Sequence, residues 1–151
     1  MKQLATKLLL SALCVTAMQS CTPSKPDEIA LYVELNSSDT PLVPIVERLQ
    51  TIGYRLGGRA KIGPPTSPGW TQNLYSDDLF LGLTYIGVSH SVDFGVIKRT
   101  SGDSTDLKVK EVFEIFCAAV AGNVKQGGEA KFRGDAKYLS AGCSTILQAT
   151  R

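Results

Sequence analysis

The sequence predicts an α+β domain, an antiparallel sheet carrying two helices on one face. Three observations lead there. Ile29, Leu31, Val33 and Leu35 alternate with Ala30, Tyr32 and Glu34, the period of a half-buried strand. Residues 79–88 and 92–99 are rich in β-branched and aromatic side chains and flank a Gly-Val-Ser-His-Ser turn, as an antiparallel hairpin requires. On either side of that hairpin, apolar residues recur at helical spacing.

Taken in order, the first strand runs into Asn36-Ser37-Ser38-Asp39, a turn, after which Thr40-Pro41 supplies an N-cap and a first helical residue. Leu42, Ile45, Val46, Leu49, Ile52 and Leu56 mark one helix face, with Gly57-Gly58 as its stop. Residues 57–76 show no sustained period and hold Pro64, Pro65 and Pro68, so they read as a long loop, a kind of segment that is often either functional or disordered. The hairpin follows, with Gly82 and Gly95 marking bulges or close backbone approach. Ser101-Gly102-Asp103-Ser104 turns the chain into a second helix, with Val109, Val112, Phe113, Phe116, Val120 and Val124 on one face and Gly127-Gly128 closing it. Residues 130–139 read as the last strand, with Gly134-Asp135 as a kink or tight turn, and the tail from Cys143 ties back to the second helix through Cys117. The β-α-β-β-α-β order resembles the split βαβ arrangement of ferredoxin-like domains. Many unrelated functions share that fold, so it argues for none of them.

The N-terminus reads as an export signal. Lys2 and Lys7 precede an apolar run over residues 8–18, eleven residues against the roughly 20 that a membrane-crossing helix needs. Met18-Gln19-Ser20-Cys21 resembles the lipobox of bacterial lipoproteins, in which an aliphatic residue, a small residue and Gly, Ala or Ser precede a cysteine. Ser20 matches, Met18 is an apolar substitute, and Gln19 departs from the pattern. The resemblance implies removal of residues 1–20, a diacylglycerol on the Cys21 thiol and acylation of its amine. Several acyl chains anchor a protein stably where one does not. Residues 21–27 then form the lipidated cysteine and a Pro-bearing tether, whose six residues after Cys21 span at most about 20 Å. Residues 28–151 are the single periplasmic domain. Thr22, rather than Asp, after the cysteine implies by the same resemblance the periplasmic face of the outer membrane.

Cysteine accounting follows from that reading. Cys14 leaves with the signal and Cys21 takes the lipid, which leaves Cys117 and Cys143. In an oxidising compartment they are most simply one disulfide; the alternative is two buried thiols.

Composition and motifs narrow the function classes. Sixteen Lys and Arg face fourteen Asp and Glu, and loss of Lys2 and Lys7 with the signal leaves a neutral domain. A nucleic-acid binder carries a basic excess, so nucleic acid is not an expected partner. The only histidine, His90, follows Ser89 directly, and strand neighbours point to opposite faces, so the near-match to a G-x-S-x-G nucleophile elbow does not make a hydrolase. With no C-x-x-C and no Gly-rich phosphate loop, no catalytic residue, metal or cofactor is expected.

Two surface features are left. Arg48, Arg55, Arg59 and Lys61 lie in a stretch without an acid between Glu47 and Asp77, and Arg48 and Arg55 are seven apart, two turns along one helix face. The bland alternative is a solvated helix face. Trp70 and Tyr75 sit in the long loop, where aromatic residues are typical interface anchors; Trp70 folding back over the core is the alternative. The expected function is therefore a lipid-anchored periplasmic protein-binding module. In concrete form it is an immunity-type inhibitor of an envelope-targeting hydrolase or toxin, similar in size and address to immunity lipoproteins of bacterial secretion systems. The competing expectation is a structural or adaptor lipoprotein subunit of an envelope assembly or secretion machine.

Overall fold

A computed structural model describes residues 27–36, 42–57 and 69–150, with the backbone alone at Trp70. The export signal, Cys21, Thr40-Pro41 and Arg59 lie outside the described residues. In chain order the elements are β1 (Ile29–Glu34), α1 (Leu42–Thr51), β2 (Arg55–Gly57), β3 (Gly69–Tyr75), β4 (Leu79–Ile86) and β5 (Ser91–Lys98). They continue with α2 (Asp103–Val120), β6 (Ala130–Arg133) and α3 (Ala141–Ala149), with single 3-10 turns at Ala121–Asn123 and Ala136–Tyr138.

The α+β class stands, but the sheet differs from the expected four strands. Six strands pair antiparallel in the order β2-β3-β4-β5-β1-β6. The two additional strands come from segments read as a helix end and a loop. Gly53, with φ 103°, ends α1 four residues before the expected Gly57-Gly58 stop. Its N–H donates to the Gln50 carbonyl and the Tyr54 N–H to that of Leu49, the Schellman closure that a left-handed glycine makes possible. Arg55 and Leu56 are thereby released into β2, so Arg48 and Arg55 do not share a helix face.

β3 occupies the second half of the expected loop. Its alternation is masked by Gln72, a polar residue at an inward position and only 1% exposed. The Gln72 side chain donates to the Asn73 carbonyl at 2.7 Å, which offsets part of the cost of burying it. Gly82 and Gly95 introduce no bulge; they stand opposite each other in an unbroken β4–β5 register. No backbone approaches either glycine closely; at Gly95 the space a Cβ would take is filled by the side-chain carboxylate of Glu28.

The C-terminal end also departs from expectation. β6 stops at Arg133 because Gly134, φ 145°, turns the chain beneath Ile29 and Phe132, and a 3-10 turn replaces the second half of the strand. The tail is a helix, α3, capped by Ser140, whose hydroxyl accepts from the Cys143 N–H at 3.3 Å.

The core lies between the sheet and the helices. Leu31, Val33, Leu81, Leu83, Phe94 and Val96 from the strands meet Ile45, Val46 and Leu49 of α1 and Val109, Val112, Phe113 and Phe116 of α2. Phe94 stacks on Phe116 at 4.8 Å between ring centroids and meets Phe113 edge-on at 5.4 Å. A disulfide joins Cys117 of α2 to Cys143 of α3, both fully buried. Lys98 of β5 donates to Asp106 of α2 at 2.5 Å, and Lys137 and Tyr138 donate to the same carboxylate at 2.7 and 2.9 Å. That cluster fastens the second 3-10 turn to α2 and β5.

Candidate interaction surface

Strand alternation gives the sheet a second face that no described helix covers. Its residues are the partners of the buried ones: Tyr32, Phe80, Thr84, Ile86, Asp93 and Ile97 are exposed or half-buried, whereas their inward neighbours are fully buried. One row of this face crosses four strands in register. Arg55 stands opposite Tyr75, Tyr75 opposite Phe80, and Phe80 opposite Ile97. The Arg55 guanidinium lies over the Tyr75 ring, 4.8 Å from its centroid, and also reaches Asp77 at 3.2 Å. The ion pair is solvent-exposed and contributes little stability, about 0–1 kcal/mol. The same guanidinium thus contacts both the Tyr75 ring and the Asp77 carboxylate. Phe80, 37% exposed, continues the row as bare aromatic surface.

The next row is built of small residues. Gly57, Asn73, Gly82, Gly95 and Ala30 follow one another across five strands, and Arg133 closes the row on β6. Beyond it Thr71, Thr84, Asp93, Tyr32 and Lys131 line up, with the Thr71 and Thr84 hydroxyls 3.2 Å apart. Partial burial raises the Asp93 carboxyl above its ordinary pKa; Arg133 opposes that shift and Glu28 adds to it. Arg133 reaches Glu28 at 3.5 Å and Asp93 at 3.9 Å, while Asp93 Oδ1 is buried without a hydrogen-bond partner among the described residues.

Of the interaction residues expected from sequence, the fold brings Arg55 and Tyr75 together. The Trp70 backbone belongs to β3, opposite Tyr85, rather than to a loop. Arg48 lies apart on α1, at the rim of a groove of about 580 Å³ between α1 and α2 that Glu111, Glu114 and Ile115 also line. Arg59 lies outside the described residues. Phe80 and Ile97 complete the row; their role depends on which strands lie beside them, which local sequence does not specify. The alternation of Phe80 with buried Leu79 and Leu81 was the available signal.

A polar cleft of about 960 Å³ opens at the end of the sheet where β1 begins, lined by Glu28, Lys98, Arg99, Arg133 and Tyr138 among others. Its cations are engaged: Lys98 with Asp106, Arg99 with the Ser76 carbonyl at 3.0 Å, Arg133 with Glu28. The neighbouring Asp77 and Asp78 carboxylates are likewise engaged, by Arg55 and by Lys108 with Thr100 respectively. Among the described residues no cluster of three or more His, Cys, Asp or Glu is placed to hold a metal ion. No described helix is long and apolar enough to cross a membrane.

No known protein family, curated protein or solved structure matches this chain.

Proposed function

We propose that the protein is a lipid-anchored periplasmic binding module, held at the outer membrane through Cys21, that acts on a protein partner without chemistry of its own. The observation that carries this reading is the row Arg55–Tyr75–Phe80 on an uncovered sheet face. Arginine and aromatic side chains dominate the energetics of protein interfaces, and here they are pre-arranged, so little entropy is lost on binding. Within that class we favour an immunity-type inhibitor of an envelope-targeting hydrolase or toxin. The small disulfide-bonded domain, the short tether and the rigid sheet surface support it. The same reading takes the architecture as a split βαβ core extended at one edge; the neighbouring strands β6-β1-β5-β4 support it, with β2 and β3 as the addition.

Affinity capture from envelope extract, with the full-length chain under oxidising conditions, tests the proposal. One enzyme captured stoichiometrically and inactivated on binding is the expected result. Capture of a set of channel or assembly subunits instead would identify a structural or adaptor subunit.

A further inference from the structure

The sheet ends at β6, and the far side of that strand is unpaired among the described residues. Register and one hydrogen bond fix which of its backbone groups face outward. The Glu34 N–H donates to the Glu129 carbonyl at 2.8 Å. Bonded and non-bonded pairs alternate along an antiparallel ladder, so Tyr32–Lys131 and Ala30–Arg133 are bonded pairs, whereas Val33–Ala130 and Leu31–Phe132 are not. The N–H and C=O groups of Ala130 and Phe132 therefore point away from β1. Among the described residues, no backbone or side-chain group meets them.

A groove of about 720 Å³ lies beside this edge. Ala130 and Phe132 line it together with Leu139 and with Leu147 of α3, and all four are half-buried. The strand is fixed on three sides. At one end the Glu34 carboxylate accepts from the Glu129 N–H at 3.1 Å, and at the other Gly134, φ 145°, turns the chain away. Between them the Phe132 ring meets Phe113 edge-on at 5.7 Å.

These groups specify what fits. Two outward donors and two outward acceptors repeat every second residue, about 7 Å apart, and an extended chain presents the complementary groups at that repeat. Its alternate side chains would stand beside Ala130 and Phe132 and enter the groove, where apolar residues match the lining. A second copy of this chain fits poorly. Self-pairing centred on Lys131 or on Phe132 sets Lys131 against Lys131 or against Arg133, and like charges directly opposite are destabilising.

We infer that the free edge of β6 takes up an extended segment of another protein as a seventh strand, with apolar side chains at alternate positions seated against Phe132, Leu139 and Leu147. Main-chain hydrogen bonds supply affinity and the groove supplies selectivity, the mode of strand addition. This surface is separate from the row Arg55–Tyr75–Phe80, so its failure leaves the binding-module reading standing.

The probe is a fluorescent, capped heptapeptide, Lys-Val-Thr-Val-Thr-Val-Glu, titrated into the full-length chain by fluorescence anisotropy. The expected result is saturable binding, roughly tenfold tighter than for a peptide of the same composition with its valines contiguous. N-methylation of one alternate set of peptide residues should abolish binding, and N-methylation of the other set should leave it, because only every second N–H faces β6. Ala130→Pro removes an outward N–H without touching a β1–β6 hydrogen bond and should weaken binding roughly tenfold. An unchanged melting temperature shows that this loss is not misfolding; where the variant melts lower, the N-methyl comparison on the parent chain decides alone. Absence of saturable binding, equal binding of both peptides, or equal effects of both N-methyl sets would overturn the inference. A dimer of the parent chain that Ala130→Pro dissolves in sedimentation would give the edge to a second copy and overturn it as well.

Discussion

Arg55 and Tyr75 face each other across the β2–β3 pair, with the guanidinium 4.8 Å from the ring centroid. Neither residue supports the core, so both can be removed with little effect on the fold. Arg55→Ala and Tyr75→Ala should each weaken partner binding by about 1–2 kcal/mol, read by titration calorimetry with the captured partner. The double variant should lose less than the sum, because the two side chains act together. Unchanged affinity in both single variants would remove this row from the interface.

The disulfide between Cys117 and Cys143 closes a loop of 26 residue steps. Loop-entropy arguments give about 3.5 kcal/mol of stabilisation, to which burial of both sulfurs is incidental. The Cys117→Ala, Cys143→Ala double variant should unfold at lower denaturant by that amount, and reductant should shift the parent chain but not the variant. A loss below about 1 kcal/mol would show that the unfolded chain is already constrained there.

Acid should weaken the domain partly through Asp106. Hydrogen bonds from Lys137, Lys98 and Tyr138 hold its carboxyl well below the ordinary carboxylate range. A depressed folded-state pKa contributes stability that is complete above the unfolded value, about 4, and is lost as pH falls toward the folded one. Asp106→Asn should therefore melt lower at neutral pH and depend less on pH between about 5 and 2. Some dependence will persist, because bonds from Lys108 and Thr100 lower the Asp78 carboxyl in the same way. Identical slopes in parent and variant, measured by circular dichroism melts across that range, would contradict the assignment.

Phe94 lies between Phe113 and Phe116 and is fully buried. Its replacement by alanine removes the contact between the sheet centre and α2 and leaves a cavity. The cost should be about 3–5 kcal/mol in denaturant unfolding. Phe94→Leu should cost clearly less, since most of the volume is kept.

Palmitate labelling tests the address independently of the domain. The full-length chain should incorporate label and fractionate with the outer membrane, and Cys21→Ser should abolish both. Label on that variant would exclude Cys21 as the acylation site.

Several features were legible before any fold was known because each is written in consecutive residues. Alternation at 29–35, helical spacing around Val109 to Phe116 and the hairpin around Gly87 need only the period of the backbone. Elsewhere local pattern misled. Leu56 continues the spacing of α1, yet Gly53 ends that helix with a left-handed turn closed by the Gly53 and Tyr54 N–H groups. Gln72 hid β3 because a polar residue at a core position erases alternation. α3 had a signal, Ser140 followed by Cys143, Ile146 and Leu147 at helical intervals, but a short helix of this composition is marginal without the packing and disulfide that hold it.

What the sequence determined alone is the set of apolar faces, because side-chain period is a local property. The tertiary structure decided which faces meet. Antiparallel register brings Arg55, Tyr75, Phe80 and Ile97 into one row although 42 positions separate the first from the last. Strand order is a property of the whole sheet, set by which arrangement buries the inward rows against α1 and α2, and no single segment carries it.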